Sequence, residues 1–456
     1  MRLGWRVSWS RRWQRTVTVT DVPAAVSAAL RLAGVGQGSR LCCALSGGVD
    51  SVVLFEALRV VQGALGFSLS AAHVHHGLSG NAPAWAEACR VRCAQAGVPF
   101  QILAVEVVRD GGQGLEAAAR SVRLAALRAL PCDWLVFGHH QDDQAETLLF
   151  RLFRGAGVRG ASAMQALQPA AGGVPGSLRP LLGLRRAQIV GWARACGLDW
   201  VEDESNADLH FTRNAIRHRL LPVAGEIFPA AVPALARAAA NFAEADTLLG
   251  ALAEIDLQAC GGEALSRTAL RGLSAARQAN LVRWRMQAAG VQAPPARRLA
   301  EALRQLDALP AERALDIGLG AWALRAYRDR VWLEPAQGPL PVPRAWVGEA
   351  VLPWAGDSVR FESVVGEGLS LARLEGAAQR VLAPRQVGMR LRLSAQRPRR
   401  ELRKLCQEAG IPVWLRERLP VLWVDGVPAW VGGLGGAVEF SAAEDEPGVV
   451  LRWPAG

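Results

Sequence analysis

The apolar and polar residues change their spacing along the chain, and the first part differs from the rest. Over residues 40–196, short bounded apolar runs alternate with longer runs of helical spacing. Because elements that alternate in this way build parallel sheets, the pattern predicts an α/β fold with a helix-covered parallel sheet. The predicted strands cover residues 41–45, 69–78, 100–105 and 134–138. The predicted helices cover residues 52–58, 84–96, 116–130 and 185–196, and one more helix follows residue 139. Residues 168–180 are predicted as a loop.

The rest of the chain divides into a helical part and a part of mixed character. Long helical spacing continues from residue 234, recurs over 277–289 and 297–306, and gives way to strand-like alternation over 315–333. Near the end, one helix is predicted over 401–409 and one hairpin that turns at Asp425-Gly426. We therefore predict three domains: an α/β domain over 21–233, a mainly helical middle domain over 234–335 and a small α+β C-terminal domain over 356–456. A disordered N-terminal extension is predicted over residues 1–20. A linker is predicted over 336–355, because its first residues are rich in proline.

Composition narrows the class of protein. The 456 residues are enough for about three domains, and a net charge of +11 suggests a polyanionic partner, most simply a nucleic acid. Genomic bias towards arginine is the alternative source of that charge. Eight cysteines without a C-x-x-C pair favour reduced thiols in a cytoplasmic protein. Prolines and glycines interrupt the weakly charged run over 419–438, so we expect no membrane span.

A glycine-containing turn between the first strand and its helix is the first candidate for chemistry. It consists of Ser46, Gly47, Gly48, Val49, Asp50 and Ser51. A tight turn at a helix N-terminus presents backbone N–H groups and a positive dipole end, which favour phosphate. The alternative is an ordinary connection in which a serine or aspartate caps the helix. The single lysine of the chain, Lys404, lies far from the turn, which excludes a Walker A loop.

Two further polar clusters follow predicted strands of the same sheet. They lie over residues 73–77 and 139–146, and parallel strands bring such clusters to one edge, where ligands of α/β proteins bind. Asp143 and Glu146 are three residues apart on a predicted helix and so share a face. Two carboxylates there suit a cationic amine or a metal ion. The alternative is that they only complement the helix dipole.

These motifs resemble those of known enzymes. The segment 46–51 resembles the PP-loop of the ATP pyrophosphatase superfamily, whose members cleave ATP between its α and β phosphates. Within that superfamily, several segments in order resemble the tRNA(Ile)-lysidine synthetase family. They are residues 73–78, 119–123, 138–147 with 154–157, and 202–206 with 213–218, and residues 402–408 with 411–414 resemble the family's C-terminal domain.

The resemblance implies a fold and an activity. The fold is an adenine nucleotide alpha hydrolase-like PP-loop domain, followed by the helical middle domain and the α+β C-terminal domain. The activity is a carbon–nitrogen ligase reaction on the wobble cytidine of a minor isoleucine tRNA with a CAU anticodon. ATP adenylates the C2 oxygen and pyrophosphate leaves; the ε-amine of free L-lysine then displaces AMP. The product, lysidine, changes codon reading from AUG to AUA.

The resemblance also implies a role for each motif. Residues 46–51 bind ATP, with Asp50 as a Mg²⁺ ligand or a nucleotide contact, Arg123 and Arg217 stabilise the α-phosphate or adenylate, and Asp143 with Glu146 binds lysine. Leu124 departs from the tyrosine that the family commonly has there, which puts local packing in doubt. The basic residues Arg397, Arg399, Arg400, Arg403 and Lys404 would contact the tRNA backbone, and a solvated basic face is the alternative. A homodimer is left open.

Two other functions compete with this one. A PP-loop tRNA thiolase would adenylate a base but deliver sulfur, and such enzymes usually need paired cysteines or an iron–sulfur or persulfide site. The scattered cysteines speak against it, and the carboxylate pair favours an amine. A non-catalytic RNA-binding protein with a degenerate nucleotide loop is the third hypothesis. The intact turn, carboxylates and arginines make it the least favoured.

Overall fold

A computed structural model describes residues 20–75, 77, 80–107, 115–202, 204, 208–262, 265–310 and 313–454. The extension predicted over residues 1–20 lies outside these ranges except for Thr20, so its disorder stays a prediction. The chain forms two compact units, which divide between Leu248 and Leu249.

A six-stranded sheet forms the centre of the first unit. Strands β1 to β6 cover Arg40–Ala44, Ser68–His75, Phe100–Ala104, Trp134–Val136, Leu167–Gln168 and Gly176–Leu178. Their order is β3-β2-β1-β4-β6-β5, and all pairs are parallel except β5 with β6. The chain leaves β1 towards β2 on one side and reaches β4 on the other, so a crevice opens at the carboxyl ends of β1 and β4.

Helices cover this sheet and confirm most of the predicted elements. Helix α2 is the central one: Val52, Val53, Leu54 and Phe55 are all buried, because α1 and α7 pack on it as well as the sheet. The helices α1 to α9 are Val22–Leu32, Val49–Leu65, Ala82–Gln95, Leu115–Arg128, Gln141–Leu152, Val158–Ala161, Arg186–Ala195, Thr212–Ala215 and Leu221–Ile227, with a π-helical turn over Ile216–Leu220 between α8 and α9.

One prediction for this part is wrong. Residues 168–180 are not only loop, because Gly176–Leu178 forms β6 and extends the sheet beside β4. The strand is three residues long and begins with glycine, so it lacks the apolar run by which a strand is recognised in sequence. The neighbouring strand explains the glycine: a Cβ at Gly176 would lie 2.4 Å from the Trp134 ring.

The second unit begins with helices and a small antiparallel sheet. Helix α10, Ala231–Ala259, contains the division between the units. Leu281, Met286, Leu303 and Leu324 belong to the core that the following helices share with the sheet of order β7-β10-β9-β8. Here α11 to α13 are Arg267–Arg271, Ala275–Ala288 and Ala296–Ala308, and β7 to β10 are Leu265–Ser266, Leu315–Gly318, Trp322–Tyr327 and Arg330–Pro335, which confirms the helices and strands predicted over 277–333.

The C-terminal part is rich in short strands. Its strands β11 to β21 are Arg344–Ala345, Val351–Trp354, Asp357–Val365, Leu369–Ser370, Arg380–Ala383, Arg390–Leu391, Arg400–Glu401, Val421–Val424, Val427–Val431, Gly435–Gly436 and Pro447–Arg452. Helices α14 to α16 are Leu371–Glu375, Leu402–Glu408 and Val413–Arg416, and a 3₁₀ turn covers Val438–Phe440. The hairpin with Asp425-Gly426 at its turn and the helix near 401–409 are confirmed.

The structure corrects the predicted linker. Residues 344–354 form β11 and β12, and Trp346, Leu352 and Trp354 are buried in the core of the C-terminal part. The prolines just before them suggested a linker, whereas the tryptophans that follow bury enough apolar surface to order the segment. The other predicted boundaries stay predictions.

Within the described ranges, no single helix combines enough length with enough apolar character to cross a membrane. A bent pair, Thr212–Ile227 with Ala231–Ala259, would do so by length and composition only.

Candidate active site

The glycine turn lies between β1 and α2, as predicted. Gly47 has a φ of 91°, a left-handed conformation that favours glycine, and its carbonyl accepts the N–H of Val201 at 3.0 Å. A Cβ at Gly47 would also press on Val201 and Cys89, at 3.2 and 3.3 Å. Gly48 is the N-cap of α2, so the N–H groups of the first helical turn point out of the helix end. The turn therefore has the geometry of an anion cradle.

Ser51 holds the turn together. Its buried hydroxyl accepts the N–H groups of Ser46 and Gly47 at 3.1 and 3.2 Å and donates to the Gly48 carbonyl at 2.9 Å. The Ser46 hydroxyl donates to the Ser51 Oγ at 3.1 Å. Ser51 thus shapes the turn from within, and its predicted contact with ATP stays a prediction.

The segment after β4 packs directly on this turn. A Cβ at Gly138 would lie 2.9 Å from the backbone oxygen of Asp50 and 3.1 Å from the backbone nitrogen of Ser51, so only glycine allows the approach. Two residues later, His140 caps α5: its Nδ1 accepts the N–H of Asp143 at 3.3 Å, and Asp143 Oδ2 accepts the N–H of His140 at 3.0 Å. This capping box fixes Asp143 beside the turn.

The two predicted lysine-binding carboxylates are buried and already paired with arginines. Arg217 Nε lies 2.6 Å from Glu146 Oε1, and its Nη2 lies 3.0 Å from Asp143 Oδ1 and from Glu146 Oε2. Arg213 Nε donates to Glu146 Oε2 at 3.1 Å, and its Nη2 lies 3.5 Å from Asp143 Oδ1. We call these four residues the carboxylate cluster.

Local structure explains why both arginines reach the carboxylates. Arg213 and Arg217 are four residues apart, on α8 and on the π-helical turn, so they lie on one side. Burial lowers the pKa of Arg217, but Glu146, Asp143 and Asp50 outweigh it, and the net pKa is raised. Sequence reasoning missed Arg213 as a site residue, although its spacing from Arg217 was a usable signal.

Asp50 lies in the first turn of α2 and faces His140. Its Oδ1 is buried, accepts no hydrogen bond from the described residues, and lies 3.6 Å from His140 Nε2. Burial lowers the pKa of His140, but Asp50, Asp143 and Asp142 raise it more, so the net pKa is raised. A buried carboxylate oxygen without a hydrogen bond can bind a cation, and the role of Asp50 as a Mg²⁺ ligand or a nucleotide contact stays a prediction.

One cavity of about 240 Å³ brings several predicted residues together. Among the residues that line it are Ser46, Asp50, Ser51, Arg123, His139 and Asp143. Its other walls include apolar groups from β1, β2, α4 and the end of β4. Glu146 is not among the described lining residues, so the structure separates the carboxylate pair into one member at the cavity and one buried beside it.

Arg123 and His139 form one wall of this cavity. Burial and then the charge of Arg213 lower the pKa of Arg123, which has no carboxylate partner among the described residues. Burial and then four arginines, Arg179 foremost, lower the pKa of His139 well below its ordinary value. His139 Nδ1 is buried without a hydrogen bond in the described part of the chain. Arg123 therefore places a positive charge on this wall without a carboxylate partner among the described residues.

The predicted tRNA-binding residues lie in the second unit, at β17 and α15. Arg399 Nε donates to Glu439 Oε1 at 3.1 Å, and Arg400 Nη1 donates to Glu408 Oε2 at 2.7 Å. Arg397, Arg403 and Lys404 are exposed. Other motif residues, namely His76, Leu78, Asp203, Ser205 and Asn206, lie outside the described residues.

A glycine turn after the first strand of a parallel sheet, beside an arginine without a carboxylate partner in the described part of the chain, is the arrangement expected of the PP-loop class of ATP-using enzymes. Accordingly, a family model described as a PP-loop domain matches residues 24–224. Models described as the TilS substrate binding domain and the TilS substrate C-terminal domain match residues 265–332 and 381–453.

Comparison with curated proteins identifies the family. The chain is 55% identical to the tRNA(Ile)-lysidine synthase of Azoarcus sp. (strain BH72), over 93% of this chain and 94% of that protein. It is 53% identical to that of Aromatoleum aromaticum, over 92% and 99%, and 35% identical to that of Nitrosomonas europaea, over 96% and 97%. The chain belongs to the tRNA(Ile)-lysidine synthase family, and it is an enzyme of the ligase kind.

Similarity to solved structures is weaker. The U34-tRNA thiolase NcsA of Methanococcus maripaludis matches 49% of this chain and 78% of its own, with 17% identity and a TM-score of 0.42. A match at that level carries no argument about function.

Proposed function

We propose that the protein uses ATP to join free L-lysine to C2 of the wobble cytidine of isoleucine tRNA with a CAU anticodon, and so forms lysidine. One observation carries this proposal: the glycine turn, the unpaired Arg123 and the carboxylate of Asp143 line the same cavity. A phosphate site, a cation for developing negative charge and a carboxylate for an amine are the three groups that the two-step reaction needs.

ATP fits this cavity by the chemistry of its walls. The N-terminus of α2 and the Ser46 hydroxyl lie where phosphates would bind. The apolar residues Val74, Leu127 and Phe137 line the same cavity and offer a surface for the base. Asp50 would hold Mg²⁺ together with phosphate oxygens, and the ion would supply charge neutralisation there.

The two arginines that we assigned to one role have different surroundings. Arg123 has no carboxylate partner among the described residues, so it is available for the α-phosphate and the adenylate. Arg217 already makes three hydrogen bonds to Asp143 and Glu146. We therefore propose that Arg123 contacts the reacting phosphate and that Arg217 acts through the carboxylates that it orients.

The two carboxylates also divide their work. Asp143 lines the cavity and is the residue that an incoming ammonium group reaches first. Glu146 has both oxygens bonded to arginines and is 1% exposed, so it holds Arg213 and Arg217 in place. We keep both as lysine-binding residues, Asp143 by contact and Glu146 by supporting that contact.

Substrate incorporation tests the function. Purified protein with isoleucine tRNA of CAU anticodon, ATP and radiolabelled lysine should label the tRNA, and the same tRNA with cytidine replaced by uridine at the wobble position should stay unlabelled. Unlabelled tRNA in the first reaction, with folded protein, would sink the proposal. Incorporation of labelled sulfur instead would establish the thiolase, and ATP-independent tRNA binding alone would establish the non-catalytic alternative.

The two half-reactions test the carboxylates. We expect Asp143→Ala and Glu146→Ala to weaken lysine use more than adenylate formation, because pyrophosphate release needs the turn and Arg123. The measurement is pyrophosphate release without lysine against lysine incorporation with it. Wild-type dependence on lysine concentration in both variants would refute their assignment.

The basic residues around α15 are proposed to contact the tRNA backbone, because Arg397, Arg403 and Lys404 are exposed and cationic.

We expect the protein in the cytoplasm, where its substrates are. Sedimentation of the purified chain, alone and with tRNA, tests the homodimer that the sequence left open.

A further inference from the structure

A second cavity, of about 270 Å³, lies between α4 and the hairpin of β5 and β6. Its distinguishing feature is its four arginines, Arg120, Arg123 and Arg128 from α4 and Arg179 after β6, which line it together with His139. We call it the arginine cavity. The described residues that line it include no carboxylate. Four guanidinium groups around one cavity favour the binding of an anion.

Two nitrogen atoms inside the arginine cavity lack a hydrogen bond. Arg179 Nε and His139 Nδ1 are both buried and make no hydrogen bond with the described residues. Burial lowers the pKa of Arg179 to about 10, and the charges of Arg120 and Arg128 add to this. Because an unsatisfied buried donor and repulsion between like charges both cost free energy, the arrangement is one that a bound anion would stabilise.

The position of the arginine cavity indicates which anion. Arg123, Phe137 and His139 line both this cavity and the cavity beside the glycine turn, so the two adjoin. At its other side, Arg120, Arg128 and Val174 are exposed. The cations therefore run from the protein surface to the reaction site. A polynucleotide strand needs such a continuous path, whereas a freely diffusing small anion does not.

We propose that the arginine cavity binds a backbone phosphate of the RNA next to the reacting cytidine and so guides that nucleotide to the adenylation site. This inference rests on the proposed function in taking RNA as the substrate. A cytidine must leave its stack to react, and a fixed neighbouring phosphate would hold the strand in the extruded geometry. Arg179, fixed by a 2.7 Å hydrogen bond to the Gln165 carbonyl, and Arg128 at the mouth are the contacts.

The test measures binding, so it does not depend on turnover. Wild type, Arg179→Gln and Arg128→Gln are titrated with an anticodon stem-loop RNA that carries a CAU anticodon, without ATP or lysine. A second RNA has a neutral methylphosphonate on each side of the wobble cytidine. Arg31→Gln is the matched control, because Arg31 is an exposed arginine on α1. Circular dichroism and thermal unfolding establish that each variant is folded, and Arg128→Gln, at an exposed position, guards against misfolding of Arg179→Gln.

We expect Arg179→Gln to weaken binding of the normal RNA about tenfold, the methylphosphonate to weaken wild-type binding similarly, and the two together to cost little more than either. Arg128→Gln should follow with a smaller loss, and Arg31→Gln should bind as wild type does. Independent, multiplying losses would overturn the proposal. So would unchanged RNA binding with a raised KM for ATP or altered inhibition by pyrophosphate, which would assign the cavity to nucleotide phosphates. If lysine incorporation fails but the non-additive binding loss is found, only the proposed function falls.

Discussion

His139 and His140 are neighbours in sequence and lie in opposite electrostatic surroundings. His140 faces Asp50, Asp142 and Asp143, whose charges outweigh burial and raise its pKa. Burial and the surrounding arginines lower the pKa of His139. The boundary between the carboxylate cluster and the arginine cavity therefore runs between two adjacent residues. One side of the site is suited to a cation, and the other to an anion.

The arginines of the two regions show what this difference means. Glu146 and Asp143 raise the pKa of Arg217, whereas burial lowers the pKa of Arg123. A paired arginine has a fixed geometry, and removal of its buried partner destabilises the folded protein, while an arginine without a carboxylate in a cavity can gain a partner from a ligand. Substitutions in the carboxylate cluster should therefore mainly lower stability, and substitution of Arg123 should mainly lower activity.

The largest effect on activity is expected from the unpaired arginine. Arg123→Gln should reduce pyrophosphate release about 10²–10³-fold, the cost of losing a donor to developing charge. Because Arg123 has no carboxylate partner in the described part of the chain, urea unfolding should show little loss of stability. A strongly destabilised but active variant would mean that Arg123 is structural.

The largest effect on stability is expected from a substitution in the carboxylate cluster. Glu146→Ala should lower the free energy of unfolding by about 3 kcal/mol, because it leaves two arginines without their buried partner. The matched control is Glu301→Ala, which removes an exposed pair with Arg304 and should cost less than about 1 kcal/mol. Equal losses in both variants would refute the distinction.

The two histidines predict opposite dependences of stability on pH. The pKa of His140 is higher in the folded protein than the unfolded value of 6.5, so protonation of His140 stabilises the folded state. This stabilisation is complete below pH 6.5 and is lost as the pH rises through the folded-state pKa. His140→Gln should therefore destabilise the protein more at pH 6 than at pH 8. His139 binds a proton more weakly when folded, so the wild type loses stability as pH falls below 6.5.

The corresponding variant, His139→Gln, should therefore destabilise less at pH 5.5 than at pH 8. Urea unfolding of both variants across this range gives the two trends, with His210→Gln as the exposed control. If the stability of both variants changed with pH in the same direction, His139 and His140 would not lie in opposite electrostatic surroundings.

The smallest effect is expected on the exposed basic face. Arg403→Gln should leave the free energy of unfolding within about 0.5 kcal/mol and weaken tRNA binding a few-fold. The slope of log affinity against log salt should fall by about one for each lost phosphate contact. An unchanged slope would favour the alternative of a solvated face.

The local spacing of apolar and turn residues is sufficient to predict much of the fold. The apolar run before residue 46 and the helical spacing after residue 51 were sufficient to predict β1, α2 and the turn between them. The same holds for the hairpin at residues 421–431, since its turn residues and alternation are local. The strand at residues 176–178 was missed because its place depends on a neighbouring strand, not on its own residues.

For the site, the sequence by itself supplied the residues: the glycine turn, Asp143, Glu146, Arg123 and Arg217. Only the tertiary structure decided how they are divided. It paired Arg213 and Arg217 with the carboxylates and left Arg123 without one among the described residues. It also brought Arg179, which follows β6, to the arginine cavity. The reason is physical: residue type and spacing fix which charges a helix carries, but burial and partners depend on which segments meet, and these decide whether a charge is neutralised or waits for a ligand.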